Sequence, residues 1–322
     1  MLLNIVFIII GFVLLVKGGD YLVDGSVAIA RRAKLSPMVI GLTVIGFGTS
    51  APELLVSAQA SLAGSSGIAI GNVVGSNIAN IALILGLTSL ICPIPSKRAT
   101  LRIDMPFMVI AMAMFIAAAM TGTIERWQGL IFVACIAGFV TWQVMKSRKE
   151  ISAQDSAEEQ EKPMPVWKAL LMVVVSIGAM VWGANKLIEG ASGIAMDLGT
   201  QFGIEPSTME RIIGLTIVAV GTSLPELFAS VIAARKGETD MAIGNIIGSV
   251  TFNILCVIGI SSTICPIVNS DKGFLFDYIL MGGLGLLLWA FLATKHKLER
   301  WEGAVLLTIY ILFIARTVIM TS

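Results

Sequence analysis

The sequence predicts an all-α integral membrane protein with ten transmembrane helices, arranged as two inverted repeats of five helices. Composition, a series of long apolar runs and an internal duplication lead to this prediction. Of the 322 residues, 56% are hydrophobic and only 13% are charged, and the mean hydropathy is +0.90. Because a soluble domain carries about 25% charged residues, this composition is typical of a membrane protein.

Ten apolar runs are long enough to cross the membrane as helices, since a hydrocarbon core of about 30 Å needs roughly 20 residues. The first run lacks the basic n-region of a signal peptide and continues past Lys17. We therefore expect it to be retained as the first membrane helix. The ten runs cover residues 2–30, 37–63, 67–91, 104–121, 127–146, 166–194, 210–234, 240–264, 275–294 and 301–319.

The two halves of the chain are copies of each other at an offset of 173 residues. Residues 41–57 match 214–230 at 10 of 17 positions, and residues 69–81 match 242–254 at 8 of 13. The long polar stretch 147–165 separates the copies and is interpreted as a short disordered linker, too small for a soluble domain. The predicted organisation is a first half over 1–146, a linker over 147–165 and a second half over 166–322.

Five spans in each half is an odd number, so the second half must cross the membrane in the opposite direction, as in many secondary transporters. If the N-terminus is outside, the inner segments hold 16 Lys and Arg residues and the outer segments hold 4. The positive-inside rule then predicts that both termini are outside and that the linker is cytoplasmic. We expect a multi-pass protein of the cytoplasmic (inner) membrane, in contact with the lipid bilayer.

Two matching glutamates are the residues most indicative of function. Residues 48–54 read GTSAPEL and residues 221–227 read GTSLPEL, which places Glu53 and Glu226 inside apolar spans. A charged side chain at the bilayer centre costs about 2.5–3.5 kcal/mol on insertion scales, so such a residue indicates a functional site by default. Two of them in equivalent positions strengthen that interpretation.

Oxygen-bearing groups surround both glutamates in the sequence. Pro52 removes a backbone donor, so we expect a kink that leaves the carbonyls near Gly46 and Thr49 free to face a cation. Such irregular backbone is tolerated at membrane depth where it lines a cavity. Carboxylate, hydroxyl, amide and carbonyl oxygens suit Na⁺ and Ca²⁺ and do not suit soft metals. The predicted site comprises Gly46, Thr49, Ser50, Glu53, Ser76 and Asn80 from the first half and Ala219, Thr222, Ser223, Glu226, Ser249 and Asn253 from the second.

Other polar residues have structural interpretations. Asn72, Asn77 and Asn245 are interpreted as interhelical hydrogen-bonding residues in preference to ligands, and the repeated glycines at 71, 75, 86, 244, 248 and 259 as helix-packing positions. The acids at 20, 24 and 189 are expected to line an entry funnel or to pair with Lys17. The four cysteines lack metal-ligand spacing, and no basic patch suggests nucleic acid. We expect no cofactor and no catalytic residues.

The paired motifs resemble the two alpha-repeats of the sodium/calcium exchanger family, within the calcium/cation antiporters. The resemblance lies in Gly-Thr-Ser-x-Pro-Glu followed by Gly-Asn-x-x-Gly-Ser-x-x-x-Asn, present twice, and it extends over the whole chain. The short central linker makes the chain similar to prokaryotic members. The resemblance implies an antiporter that exchanges Na⁺ for Ca²⁺, and we expect it to function as a monomer.

The resemblance also implies roles for individual residues. Ca²⁺ would lie between Glu53, Glu226 and the carbonyls of Thr49 and Thr222. Sodium sites would use Ser50, Ser76, Ser223 and Ser249 with the carbonyls at positions 46 and 219. The helices over 2–30 and 166–194 would slide as a gate. Asn253 stands where potassium-dependent members carry Asp, which argues against K⁺ co-transport.

Three other functions are compatible with buried carboxylates. The same fold could couple Ca²⁺ to H⁺, because buried carboxylates can bind protons. An intramembrane enzyme with a carboxylate dyad would need paired acids around water, and the symmetric Ser and Asn residues favour transport instead. A channel would differ from an antiporter in that its flux needs no counter-ion.

Overall fold

The computed structural model describes residues 1–154, 164–201, 209, 213, 217, 219–269 and 274–321. These residues form twelve helices and four two-residue strands. The helices are α1 (Leu2–Ala33), α2 (Pro37–Thr49), α3 (Ala51–Leu62), α4 (Ser66–Ile91), α5 (Thr100–Met120), α6 (Arg126–Gln154), α7 (Val166–Gln201), α8 (Ala219–Gly221), α9 (Leu224–Arg235), α10 (Thr239–Ile264), α11 (Phe274–Lys295) and α12 (Arg300–Thr321).

Eight of the described helices are long and apolar enough to cross a membrane. A ninth span results if α2 and α3, which meet at a bend of 47°, are counted together. The tenth expected span, 210–234, begins among residues outside the described ranges, and the structure describes its later part as α8 and α9. The prediction of an all-helical, multi-pass bundle is confirmed, and the count of ten stays a prediction.

The first part of the predicted linker is helical. Residues 147–154 do not begin a disordered segment but continue α6 to Gln154. The side chains of Lys146 and Glu150 pair at 3.8 Å with the i,i+4 spacing that stabilises a helix. The hydroxyl of Ser147 also accepts a hydrogen bond from the Ser36 amide at 2.7 Å, which attaches this end of α6 to the start of α2. Residues 155–163 of the predicted linker lie outside the described residues.

Two small antiparallel sheets show how the halves are related. β1 (Ile94–Pro95) pairs with β4 (Lys297–Leu298), and β2 (Thr123–Ile124) pairs with β3 (Ile267–Val268). The repeat relates the first pair to the second, because β3 follows β1 by 173 residues and β4 follows β2 by 174. The 21-residue helix α5 separates β1 from β2 by about 30 Å at 1.5 Å per residue, so the sheets lie at opposite ends of the bundle. Equivalent elements at opposite ends are expected of inverted repeats.

Glycine contacts repeat in the same way. A Cβ added to Gly86 would lie 3.0 Å from the carbonyl oxygen of Gly303, and one added to Gly259 would lie 3.1 Å from that of Gly129. The α4–α12 contact thus has an equivalent in the α10–α6 contact. Gly244 and Gly248 likewise pack against the backbone of α2. For Gly86, Gly244, Gly248 and Gly259 the predicted packing role is confirmed, because a larger side chain would separate the helices.

The core is formed around α4 and α10. In their most apolar stretches 72% of α4 and 94% of α10 are buried, against 22% of α1. α1 and α7 instead pack mainly on each other at the side of this core. Their contact is lined at seven-residue intervals by small residues, namely Gly11, Gly18 and Gly25 on α1 and Ala169, Ser176, Gly183 and Gly190 on α7.

Candidate cation site

Both glutamates follow a break between two helices. Ser50 separates α2 from α3 with φ −86° and ψ 5°, and Ser223 lies before α9 with φ −92° and ψ 8°. Proline follows two residues after each serine and lacks an N–H, so the carbonyl four residues before it loses its usual helical donor. Glu53 and Glu226 consequently lie in the first turn of α3 and α9. The kink predicted at Pro52 is present as a break at Ser50.

The two carboxylates are buried deep in the bundle. Glu53 is 2% exposed and Glu226 is 1% exposed. Within the described part of the chain, the Oε2 atoms of both glutamates have no hydrogen-bond partner. No lysine or arginine among those residues forms an ion pair with either glutamate. A buried carboxylate without a compensating charge is costly, so this pair requires a cation or protons.

Three contacts between the halves bring the predicted residues together. The hydroxyl of Ser50 donates to Glu226 Oε1 at 3.5 Å, and the hydroxyl of Ser249 donates to the Gly46 carbonyl at 3.4 Å. Thr49 Oγ1 lies 3.5 Å from the side-chain oxygen of Asn245. Residues 46–50 of the first half therefore contact both the glutamate motif (221–227) and the Gly-Asn motif (244–253) of the second half. The site is shared between the repeats.

The carbonyl of Gly46 is not free, contrary to the expectation from Pro52. It accepts the Ser50 amide at 3.1 Å in addition to the Ser249 hydroxyl. The reason is that Pro52 removes the donor of the Gly48 carbonyl, whereas the Gly46 carbonyl accepts the last intact helical hydrogen bond of α2. A carbonyl oxygen has two lone pairs, and a cation would have to compete for the second one with the Ser249 hydroxyl and with Thr49 Oγ1, which lies 3.5 Å away.

Two asparagines hold the backbone of the glutamates in place. The Asn72 side chain donates to the Glu53 carbonyl at 3.2 Å and to the Ser57 hydroxyl at 2.9 Å. In the second half, Asn245 donates to the Glu226 carbonyl at 3.3 Å and to the Ser230 hydroxyl at 2.8 Å. These residues correspond at the repeat offset, and their predicted role as interhelical hydrogen-bonding residues is confirmed. Ser57 and Ser230 are not among the predicted site residues, although they are identical in the alignment of the two repeats.

The central amides lie where two helices change their winding. Asn80 and Asn253 are 1% and 0% exposed, and they lie in or at the start of the π-helical segments Ala79–Leu85 and Asn253–Ile258. Such π-helical segments occur frequently at functional sites because they re-aim side chains. Neither amide oxygen has a hydrogen-bond partner among the residues described. Ser76 and Ser249 are buried one helical turn earlier on the same faces.

The remaining predicted residues lie at the equivalent break in the second half. Ser223 is 2% exposed, and its hydroxyl has no partner within the described ranges. Thr222 precedes it in the turn, and Ala219 begins the short helix α8. Ten of the twelve predicted residues are buried, and they lie in or next to α2, α3, α4, α9 and α10.

Asp20, Asp24 and Glu189, the acidic residues of α1 and α7 considered above, form ion pairs with lysines. Asp20 and Asp24 pair with Lys236 at 3.4 and 2.8 Å, so the expected partner Lys17 is wrong. Lys236 follows α9, and its position close to α1 could not be read from the sequence. Glu189 pairs with Lys186 on the same helix at 2.6 Å. These ion pairs are partly exposed and lie apart from the buried glutamates.

The available donors determine which ions the site can accept. In the described part of the chain, no group of three or more His, Cys, Asp and Glu side chains could hold a metal. A cation at the glutamates must therefore be bound by two carboxylates together with neutral oxygens. That donor set suits hard cations such as Ca²⁺ and Na⁺. Inverted repeats with buried polar groups at their interface are characteristic of secondary transporters.

Comparison with known proteins gives the family. The family model described as "Sodium/calcium exchanger protein" matches residues 3–145 and 168–319. The chain belongs to the sodium/calcium exchanger family and is a membrane-embedded cation antiporter.

Individual relatives are similar over their whole length. The chain is 36% identical to "Putative antiporter CaxA" of Alkalimonas amylolytica over 97% of both chains. It is 33% identical to "Sodium/calcium exchanger MaX1" of Methanosarcina acetivorans, again over 97% of both. A solved structure of the sodium-calcium exchanger NCX_Mj, soaked with zero Na⁺ and Ca²⁺, superposes with a TM-score of 0.80 at 31% identity, covering 98% of this chain and 99% of that one.

Proposed function

We propose that this chain is a secondary active antiporter that exchanges Na⁺ for Ca²⁺ across the cytoplasmic membrane, by alternating access to one central site that contains Glu53 and Glu226. The family supports cation antiport with Ca²⁺. The coupling ion and the site residues are the proposal.

One observation carries the assignment of the site. Five oxygen atoms of the predicted residues are buried without a hydrogen-bond partner in the described part of the chain: Oε2 of Glu53, Oε2 of Glu226, Oδ1 of Asn80, Oδ1 of Asn253 and Oγ of Ser223. Buried polar groups are normally paired, so five orphaned acceptors on predicted site residues need an explanation. A bound cation provides it, because two charged and three neutral oxygens are the ligands that Ca²⁺ and Na⁺ prefer.

The charge of the site explains why exchange is favoured over leak. Two carboxylates carry a charge of about −2, which one Ca²⁺ or two Na⁺ would neutralise. Ca²⁺ and a full set of Na⁺ would compete for the same oxygens. An unloaded pair is costly to expose to an apolar environment, so the change between the two access states is favoured only when cations are bound.

The two halves supply the geometry for alternating access. We propose that residues 1–146 and 166–322 are the two functional halves, joined by the cytoplasmic segment 147–165, with both termini outside. The count of 16 inner against 4 outer basic residues supports this orientation. α1 and α7 pack chiefly on each other through small residues, so this pair can move as a unit against the core that holds the site.

The proposal is tested by flux in proteoliposomes that contain the purified protein. An outward-directed Na⁺ gradient should drive ⁴⁵Ca²⁺ uptake, and K⁺ and H⁺ gradients in separate vesicles should not. Glu53→Gln and Glu226→Gln should each abolish uptake. Ca²⁺ uptake driven by a pH gradient in the absence of Na⁺ would show that the coupling ion is H⁺ and not Na⁺. Wild-type uptake in either variant would refute the assignment of the site.

Glu302→Gln is the matched control. Glu302 is also a buried carboxylate, 1% exposed, but it accepts the Glu299 amide at 2.7 Å at the start of α12. A glutamine retains an acceptor oxygen for that hydrogen bond. This variant should therefore keep Na⁺-driven uptake, which separates loss of the site from a general effect of removing a buried charge.

A further inference from the structure

The amide of Asn253 is held in one orientation by a residue of the other half. Its Nδ2 donates to Oδ1 of Asn77 at 3.1 Å, across 176 positions of sequence. Both residues are 0% exposed. Because the nitrogen end is used in this hydrogen bond, the oxygen end of Asn253 is the one that stays without a partner among the described residues.

The orientation of Asn77 is itself set by a methionine. Asn77 Nδ2 lies 3.6 Å from the sulfur of Met281 on α11, which is also 0% exposed. A thioether sulfur can accept a hydrogen bond but cannot donate one, so it faces the amide nitrogen. The oxygen of Asn77 must then face Asn253. The order of donors and acceptors from Met281 to Asn253 permits one arrangement only.

This arrangement exists in one half of the site. At the repeat offset Asn77 corresponds to Val250, which can neither donate nor accept through its side chain. Asn253 corresponds to Asn80, whose oxygen is equally orphaned. The two central amides are therefore held differently although the sequences around them are duplicates.

We propose that Asn77 is a positioning residue that holds the Asn253 oxygen toward the transported cation, and that Met281 fixes Asn77 in the orientation required. The inference rests on the proposed function. An amide has one attractive and one repulsive end for a cation, so a reversed Asn253 would present its NH₂ group in place of a ligand. The interaction of Asn77 with Asn253 thus contributes to cation affinity without Asn77 touching the ion.

A purely structural role for Asn77 makes a different prediction. A hydrogen bond that only joins α4 to α10 would stabilise the fold whatever the chemistry of residue 253. A positioning role depends on the two ends of residue 253 being different. Asn253→Asp removes that difference, because a carboxylate presents oxygen in either orientation.

The test measures Na⁺-driven ⁴⁵Ca²⁺ uptake against Ca²⁺ concentration for Asn77→Val, in the wild-type and in the Asn253→Asp background. In the wild-type background the half-saturating Ca²⁺ concentration should rise by about fivefold, the size expected for one net hydrogen bond, with a smaller change in maximal rate. In the Asn253→Asp background the same substitution should not raise the half-saturating concentration, because a carboxylate cannot donate to the Asn77 oxygen and so has no such hydrogen bond to lose.

Two further variants keep the test decisive if Asn77→Val fails to fold. Asn77→Thr has nearly the shape of valine but retains an acceptor oxygen, and it should restore most of the affinity. Met281→Leu removes the acceptor that orients Asn77 and should raise the half-saturating concentration by about twofold. Unaltered Ca²⁺ affinity in Asn77→Val, or an equal loss in both backgrounds, would overturn the inference. If Asn77→Val does not fold, an unaltered Ca²⁺ affinity in Met281→Leu would overturn the inference instead. Absence of Na⁺-driven uptake by the wild-type protein would instead refute the proposed function.

Discussion

The hydroxyl of Ser50 donates a hydrogen bond to the carboxylate of Glu226 at 3.5 Å, although 176 residues separate them in the chain. Each residue belongs to the same motif in a different half. The contact shows that the two copies of the motif face one another across the repeat interface. A neutral oxygen of one copy thereby lies beside the charged group of the other, where a bound cation could use both.

Removal of the Ser50 hydroxyl should weaken the binding of Na⁺ more than the binding of Ca²⁺. Na⁺ carries a single charge and depends more on neutral ligands, whereas Ca²⁺ is attracted mainly by the two carboxylates. In Ser50→Ala the Na⁺ concentration that half-inhibits ⁴⁵Ca²⁺ binding should rise by about tenfold, as for loss of a hydrogen bond to a charged group. Ser261→Ala, which alters a buried serine of α10 outside the two motifs, is the control and should behave as wild type.

The asparagines that hold the glutamate backbone should contribute to stability. Asn245→Leu leaves the Glu226 carbonyl and the Ser230 hydroxyl without their donor, and it should lower the free energy of unfolding by about 1–3 kcal/mol. Asn72→Leu should cost less because Asn72 is only partly buried. Thermal unfolding of the purified variants in detergent measures both. Equal midpoints for Asn245→Leu and wild type would contradict this account.

The contact between α1 and α7 should tolerate no added methyl group. A Cβ on Gly183 would lie 2.8 Å from Leu14 Cβ and 3.0 Å from the Gly11 carbonyl oxygen. Gly183→Ala should therefore force the helices apart, cost about 1–3 kcal/mol of stability and reduce transport. Gly178 on the same helix has nothing within 4 Å of its added Cβ. Gly178→Ala should stay active and gain up to about 1 kcal/mol from helix propensity; similar losses in both variants would disprove the steric explanation.

The ion pairs of Lys236 should slow the movement of α1. Lys236 binds Asp24 at 2.8 Å and the Asp20 carbonyl at 2.9 Å, which connects α1 to the residue after α9. Partly exposed ion pairs contribute less than about 1 kcal/mol, so Lys236→Ala should raise the maximal exchange rate by about threefold at low salt. The difference should shrink near 1 M salt, where the screening length falls to about 3 Å.

Lys186→Ala provides the comparison for that measurement. Lys186 pairs with Glu189 within α7 and lies 4.4 Å from the centre of the Phe7 ring on α1, so it connects only the two helices that are proposed to move together. Its removal should leave the exchange rate unchanged at any ionic strength. A salt-independent effect of Lys236→Ala, or an equal effect of Lys186→Ala, would show that the connection to α1 does not limit the rate.

Much of the fold followed from local patterns. Apolar runs of about 20 residues predicted the long helices because an apolar environment requires every backbone group to bond within its own segment. The end of α6 differs from the prediction because charged residues favour a helix as well as a linker. Lys146, Arg148, Lys149 and Glu150 are good helix formers, Lys146 and Glu150 form an i,i+4 pair, and the helix continues to Gln154.

The candidate site was predicted from chemistry and duplication. Glu53 and Glu226 stood out because a carboxylate is costly inside an apolar span, and Ser76 and Asn80 because they share one helical face with matching residues in the copy. The partners of Asp24 and Asn253 could not be predicted in this way. Lys236 and Asn77 lie far from them in sequence, and repeat symmetry gives no guidance because Asn77 corresponds to Val250.

By itself, the sequence determined that a glutamate within an apolar span, accompanied by hydroxyl and amide side chains, recurs in two copies of one membrane unit. Residue type and spacing suffice for that conclusion, because the cost of burying charge and the length of a membrane span are local properties. Only the tertiary structure decided which oxygens face each other, and that Asn77 fixes the Asn253 amide while Val250 leaves the other half without such a contact. Those facts depend on which helices pack together, and hydrogen-bond orientation exists only once they have packed.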